Sequence, residues 1–193
     1  MSKTLKSIDF EAGSDGGIFA LRGNLDGELV KDFVERTQYI GLMIGSEEFL
    51  APIASVDEII MLTPITYVPK GPKFVDGVIN LRGQIVPAVN LRKMMGLPRG
   101  EPQTSSRVVI VRELGLRVGL VVDAITYVVS LIPGQVENQK LSSKGLGAEL
   151  IAAISKHDNK VTGILDLPMV IHVAAGGKLA EEKETESSED HAA

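Results

Sequence analysis

Gly77-Val78-Ile79-Asn80-Leu81-Arg82-Gly83-Gln84-Ile85-Val86-Pro87-Ala88-Val89-Asn90-Leu91-Arg92 is the stretch whose reading decides the fold. Two apolar runs flank Arg82-Gly83. A residue followed by Gly between such runs signals a hairpin, because Gly takes positive φ at no steric cost. Val75 to Leu81 reads as one strand and Gln84 to Asn90 as its return. Leu91 to Met95 can make a helical turn, stopped by Gly96 and Pro98. Asn80, Arg82 and Arg92 are polar positions set in an aliphatic background. At a hairpin tip, Arg82 rides on a rigid scaffold and offers a planar five-donor fork, a residue type enriched at interface hot spots. A solvated turn arginine fits the same pattern.

The same short runs extend in both directions. Upstream, Tyr39 to Ile44 leads into Gly45-Ser46-Glu47, and Phe49-Leu50 resumes the pattern until Pro52. Ile53 to Glu58 can form one or two helical turns. Downstream, Val108 to Val111 turns at Glu113-Leu114-Gly115 into Val118 to Val122, and Ile125 to Leu131 follows. Ile151 to Ile154 pairs with Val161 to Leu165 across Lys156-His157-Asp158-Asn159. Many short strands with few helices predict an all-β domain of the barrel or sandwich kind.

The pattern repeats. Val56-Asp57-Glu58-Ile59 returns 66 positions later as Val122-Asp123-Ala124-Ile125, and Val89-Asn90-Leu91 returns 76 positions later as Leu165-Asp166-Leu167. The extra residues of the second half fall in the polar stretch from Pro133 to Glu149. Half of such a domain buries little surface alone. Two halves packed together would share a core and leave a groove, a common kind of binding site.

The ends differ from the middle. Residues 1–37 are polar and Gly-rich and predict a flexible arm, with one short helix over 25–36 from the spacing of Leu25, Leu29 and Phe33. Residues 38–173 form the domain. Residues 174–193 are Glu-rich and predict a disordered acidic tail. The net charge of −5 lies in these ends: −2 over 1–37 and −4 over 174–193, against +1 in the middle.

Composition excludes several function classes. The 193 residues hold no cysteine, no tryptophan and three histidines. That removes disulfide frameworks, thiolate metal sites and a cysteine nucleophile, and makes a His-rich zinc site a poor expectation. Aromatics are 4% of the chain, too few for a base-stacking surface. The basic pairs Arg92-Lys93 and Lys70 with Lys73 form no stripe, which argues against nucleic acid; a small-barrel nucleic-acid module remains the alternative on topology alone. No apolar run approaches the ~18 residues of a membrane span, and Met1 to Phe10 lacks the apolar core of a signal peptide, so a cytoplasmic protein is expected.

Tests for catalysis give nothing. There is no phosphate-cradling loop and no nucleophile elbow, and Gly145-Leu146-Gly147 completes no dinucleotide fingerprint. His157-Asp158 reads as a polar turn. Asp123 and Asp166 sit at strand ends, where an acid caps a turn or accepts from backbone N–H groups. The expectation is a protein that is not an enzyme and uses neither cofactor nor metal.

The segment Gly77 to Arg92 resembles the signature of the CheW family of chemotaxis coupling proteins. Val56-Asp57-Glu58-Ile59, Val68-Pro69, Val118 to Ile125 and Ile164-Leu165-Asp166-Leu167 match in the right order around it. The resemblance covers about 38–173. It implies two five-stranded SH3-like barrels with a shared core between them. It also implies a non-enzymatic adaptor that bridges a CheA-type histidine kinase, through its regulatory domain, and the cytoplasmic tips of chemoreceptors. A coupling protein of a non-flagellar pathway is the alternative within the family. Carried over residue by residue, Val56 and Glu58 match positions linked to receptor contact. Gly77, Arg82 and Gly83 match signature positions linked to coupling, and Val108 and Gly119 match positions in the second barrel. The glycines can equally serve backbone freedom or packing, Val56 and Val108 the core, and Arg82 a brace across barrels. Asn90 departs from the pattern, which usually has Asp there. Asn keeps the acceptor and loses the charge.

Overall fold

A computed structural model describes residues 9–12, 18–23, 29–33, 35–98, 100–113, 115–138 and 147–176. Its strands are β1 (Asp9–Ala12), β2 (Ile18–Gly23), β3 (Leu29–Phe33), β4 (Thr37–Ile44), β5 (Glu47–Pro52), β6 (Val56–Met61), β7 (Val75–Leu81), β8 (Gln84–Asn90), β9 (Arg107–Glu113), β10 (Leu116–Val122), β11 (Ala124–Leu131), β12 (Val136–Glu137), β13 (Ile151–His157) and β14 (Lys160–Leu165). The helices are α1 (Leu91–Met94) and α2 (Leu167–Ala174).

β6-β9-β10-β8-β7 form one sheet and β11-β4-β5-β14-β13-β12 another. Each curls into an SH3-like barrel, one of five strands and one of six. In the five-stranded barrel β6 and β7 are the outer strands of the sheet order. The chain leaving β6 closes the gap by a bridge between Thr66 and Val78.

The barrels are not the two halves of the sequence. The first half gives its hairpin β4–β5 to the six-stranded barrel and β6, β7 and β8 to the five-stranded one. The second half gives β9–β10 to the five-stranded barrel and the rest to the six-stranded one. Each hairpin is inserted with one antiparallel and one parallel neighbour: β4 beside β11 and β5 beside β14, β9 beside β6 and β10 beside β8. The repeated Val-Asp motifs stand at the two crossings between barrels. Asp123 accepts from Gly45 N in the β4–β5 turn at 2.6 Å and from Arg92 Nε at 2.7 Å. Asp57 accepts from Arg112 and Arg117, on either side of the β9–β10 turn.

Burial follows the alternation of the strands. Ile79, Leu81, Val86, Ala88, Val108 and Ile110 fill the five-stranded barrel. Tyr39, Leu50, Val129, Leu131, Ala153 and Ile164 fill the six-stranded one. A larger cluster lies between them, drawing Leu42 and Ile44 from β4, Val109 and Val111 from β9, Leu91 and Met94 from α1, and Leu167, Val170 and Ile171 from α2. The shared core therefore belongs to both repeats.

Three expectations need correction. Leu29–Phe33, within the span expected as a helix, is strand β3, paired with β2, which pairs with β1. A helix of three turns or fewer is marginal alone, while Leu29–Phe33 meets a neighbouring strand that pairs with its backbone. The remainder of 24–28 and residue 34 lie outside the described residues. Ile53–Ser55 forms only a 3-10 turn, and the chain is extended from Val56 because β9 is there to pair with it. At the far end, α2 runs through Ala174, with Ile171 and Val173 buried, so the helix enters the span expected as tail; 177–193 lie outside the described residues.

Candidate protein-interaction site

The site begins with a turn. Arg82 has φ 50° and Gly83 φ 85°. Two consecutive positive φ values match the right-handed twist of the flanking strands, which is why two-residue hairpins favour them. A Cβ on Gly83 would meet nothing within 4 Å, so backbone conformation alone asks for glycine there. Asn80 Oδ1 closes the turn by accepting from Gly83 N at 2.8 Å.

The tip is fastened to the far edge of its sheet. Arg82 Nη2 donates to Glu58 Oε2 at 2.9 Å. Arg82 joins β7 to β8, and Glu58 lies on β6, so the pair crosses the seam where the barrel closes. The Arg82 side chain is 82% exposed and that of Glu58 23%. The pair is thus a brace within one barrel, with most of the Arg82 side chain exposed.

Gly77 serves the same seam. Its φ is 146°, and a Cβ there would lie 2.1 Å from the carbonyl oxygen of Thr66. Thr66 and Val78 exchange both backbone hydrogen bonds, at 2.8 and 2.9 Å. Glycine is what allows the 62–74 segment to press onto β7. Val56 is half-buried and packs on the inter-barrel core. Val108 is fully buried inside the five-stranded barrel. A Cβ on Gly119 would come within 2.8 Å of Val108 Cγ1, so the glycine makes room for that side chain. The structure brings Glu58, Arg82 and Gly83 together at the tip, with Gly77 on the same seam. Val108 and Gly119 lie in the interior, where they act by packing.

The sequence reading missed a charged network beside the tip. Asp57 is the extra residue of a bulge, since the β6–β9 register shifts between Val56 and Glu58. Arg112 Nε reaches both Asp57 carboxylate oxygens at 3.2 Å and Nη2 reaches Oδ2 at 2.9 Å. Arg117 Nε reaches Oδ2 at 2.8 Å. Arg117 Nη1 donates to Gln84 Oε1 at 2.6 Å. Hydrogen bonding from Arg112 holds the Asp57 carboxyl below the ordinary aspartate range; desolvation opposes this and Arg117 adds to it. The Asp57 carboxylate in turn raises the Arg112 pKa. Arg112 and Arg117 are directly opposite across the β9–β10 hairpin. Like charges so placed repel, and the bulged Asp57 neutralises them. That opposition was the available signal: two arginines at equal distances from a Gly turn need an acid from elsewhere.

Apolar side chains surround these polar ones. Ile59 and Met61 on β6, Ile85 on β8 and Leu116 on β10 are exposed. Extending the parallel β8–β10 register sets Ile85 level with Leu116. On the six-stranded barrel, Val128 and Val161 are exposed, and a cleft of about 700 Å³ is lined by Met43, Phe49, Ile151, Ile154 and Val161 among others. His157 ends β13 at a turn in which Asp158 and Asn159 have positive φ. Among the described residues no group of three or more His, Cys, Asp or Glu could hold a metal ion, and no helix is long and apolar enough to cross a membrane. The arrangement offers a rigid basic fork in a half-apolar surface, which suits recognition of another protein.

A family model described as a CheW-like domain matches residues 38–175. The chain is 36% identical over 100 residues to the chemotaxis protein CheW of Helicobacter pylori, covering 52% of this chain and 61% of that protein. It is 29% identical to the chemotaxis protein CheW of Thermotoga maritima, covering 72% of this chain and 91% of that one. The crystal structure of the scaffolding protein TtCheW from Thermoanaerobacter tengcongensis superposes with a TM-score of 0.65 at 29% identity, over 68% of this chain and 90% of that chain.

Proposed function

This chain belongs to the family of CheW-like domains, and from that premise we propose that it is a non-enzymatic adaptor coupling chemoreceptors to a CheA-type histidine kinase in the cytoplasm. The observation that carries the reading is Arg82, held at the barrel seam by Glu58 with its side chain 82% exposed. A side chain so exposed adds little to stability. A non-glycine residue at positive φ is uncommon, and an arginine kept there with its side chain exposed suits an outward contact.

Receptor helices meet the side carrying Glu58 and Arg82. The kinase's regulatory domain takes exposed aliphatic residues at strand edges, of which Ile59 and Met61 on β6 and Val128 on β11 are examples. Neither contact needs to be strong, because an array presents many at once and raises the effective concentration. The signal passes as a change in the geometry of these contacts, with no chemical step in this chain.

The test is reconstitution of the purified chain with vesicle-borne chemoreceptors and a CheA-type kinase. Receptor-dependent kinase activity is expected with the wild-type chain and not with folded Arg82→Ala. A chain that binds neither the kinase's regulatory domain nor receptor at about 100 μM, near −5.5 kcal/mol, refutes the adaptor reading.

A further inference from the structure

Arg82 poses a positioning problem. It is a long, exposed side chain on a two-residue turn, and a single exposed ion pair fixes such a side chain weakly. The polar groups around it solve this by forming a closed circuit. Arg82 binds Glu58 at 2.9 Å. One peptide bond connects Glu58 to Asp57. Asp57 Oδ2 takes Arg117 Nε at 2.8 Å and Nη2 at 2.7 Å. Arg117 Nη1 reaches Gln84 Oε1 at 2.6 Å, and two peptide bonds lead from Gln84 through Gly83 back to Arg82.

Arg117 is the only member of that circuit standing on β10. Its planar fork spends one edge on a carboxylate and one nitrogen on an amide, a combination that a lysine's single point charge cannot reproduce. Its side chain is 28% exposed, much less than that of Arg82. Arg112 holds Asp57 independently at 2.9 Å. Removing Arg117 therefore opens the circuit and leaves the acid paired.

We propose that Arg117, acting through Gln84 and Asp57, is a positioning residue that fixes the Arg82 hairpin tip for its partner. This rests on the reading of Arg82 as a contact residue. The tip reaches its partner already oriented, so less conformational freedom is lost on binding.

Four variants of the full chain test it: Arg82→Ala, Arg117→Ala, Arg117→Lys and Gln84→Ala, with the double variant Arg82→Ala/Arg117→Ala. Each is measured for receptor-dependent kinase activity, for melting temperature, and for amide hydrogen exchange at Gly83 and Gln84. Arg117→Ala, Arg117→Lys and Gln84→Ala are expected to weaken coupling about fivefold while melting within a few degrees of wild type, with faster exchange at Gly83. The double variant is expected to lose no more than Arg82→Ala alone, since linked residues are not additive. Unchanged exchange at the tip in Arg117→Ala overturns the positioning role, and so does a double-variant loss equal to the product of the single losses. If exchange rises but Arg82→Ala itself leaves coupling intact, the positioning stands and the contact reading of Arg82 fails.

Discussion

Asn90 and Asp166, 76 positions apart, cap the two helices by the same bond. Asn90 Oδ1 accepts from Lys93 N at 3.3 Å, and Asp166 Oδ1 accepts from Met169 N at 2.9 Å. The capping acceptor is shared, and the charge is not. The reason is a neighbour: Asn90 Nδ2 donates to Asp76 Oδ2 at 2.9 Å, and Lys93 Nζ also pairs with Asp76. The amide caps with its oxygen and satisfies a carboxylate with its nitrogen, which an aspartate could not do.

Asn90→Asp is accordingly expected to destabilise this chain by about 1 kcal/mol at neutral pH, although it restores the residue usual in the family signature. It sets two carboxylates face to face, which raises the pKa of one of them on folding. The loss should shrink as pH falls through the ordinary carboxylate range, because the protonated form can donate. Denaturant titration at pH 7 and at about pH 4 measures this. Asn90→Asp together with Asp76→Asn should recover most of the loss.

Gly77→Ala and Gly83→Ala separate space from backbone angle. At Gly77 the new Cβ would collide with the Thr66 backbone, so a loss of about 3 kcal/mol or more is expected. At Gly83 there is open space and only a positive φ, so the loss should be about 1 kcal/mol. Equal melting temperatures for the two variants would contradict the account of the barrel seam.

Asp57→Asn bears on acid stability. The native carboxyl is held below its ordinary range by Arg112 first and Arg117 after it. Its contribution is therefore complete above the unfolded-state pKa and is lost as pH falls through the lower native value. The variant should be less stable than wild type at neutral pH. The two stability curves should converge below about pH 4. Chemical denaturation across that range gives both curves.

Val108→Ala should cost about 2 kcal/mol, the loss of two buried methyl groups with incomplete collapse around them. Its effect on coupling should vanish when assayed well below its melting temperature, because Val108 is fully buried in the barrel interior.

Local chemistry carried much of the fold into view. Arg82-Gly83 announced its turn, Pro98 and Gly96 the end of α1, and the strand alternation most of the buried positions. What the sequence could not reveal is which sheet receives a strand. Leu42 and Val109 look alike as core residues, whichever barrel their hairpins join, so the exchange of β4–β5 and β9–β10 left no local trace. The candidate site was half legible for a similar reason. Arg82 came from the hairpin pattern and the family signature, and Glu58 from a match flanking that signature. Asp57 depends on a bulge set by its partner strand, and Arg117 lies 60 positions away. At β3 the apolar spacing fitted a helix, and a pairing strand that the spacing could not announce made the chain extended instead.

The exchanged hairpins also govern how this protein can come into being. The five-stranded barrel is built from one contiguous run of chain, β6 to β10, whereas the six-stranded barrel is interrupted by it and must join β4–β5 to β11–β14. Fragments 35–98 and 100–176 should each be unstructured alone and should regain the native spectrum when mixed. During synthesis the six-stranded barrel cannot close until β14 has emerged to pair with β5, and contacts of such long sequence separation make folding slow. In the finished molecule the five-stranded barrel is tied to the six-stranded one at both of its chain ends, between β5 and β6 and between β10 and β11, so a pull on either barrel is carried to the other through two covalent crossings.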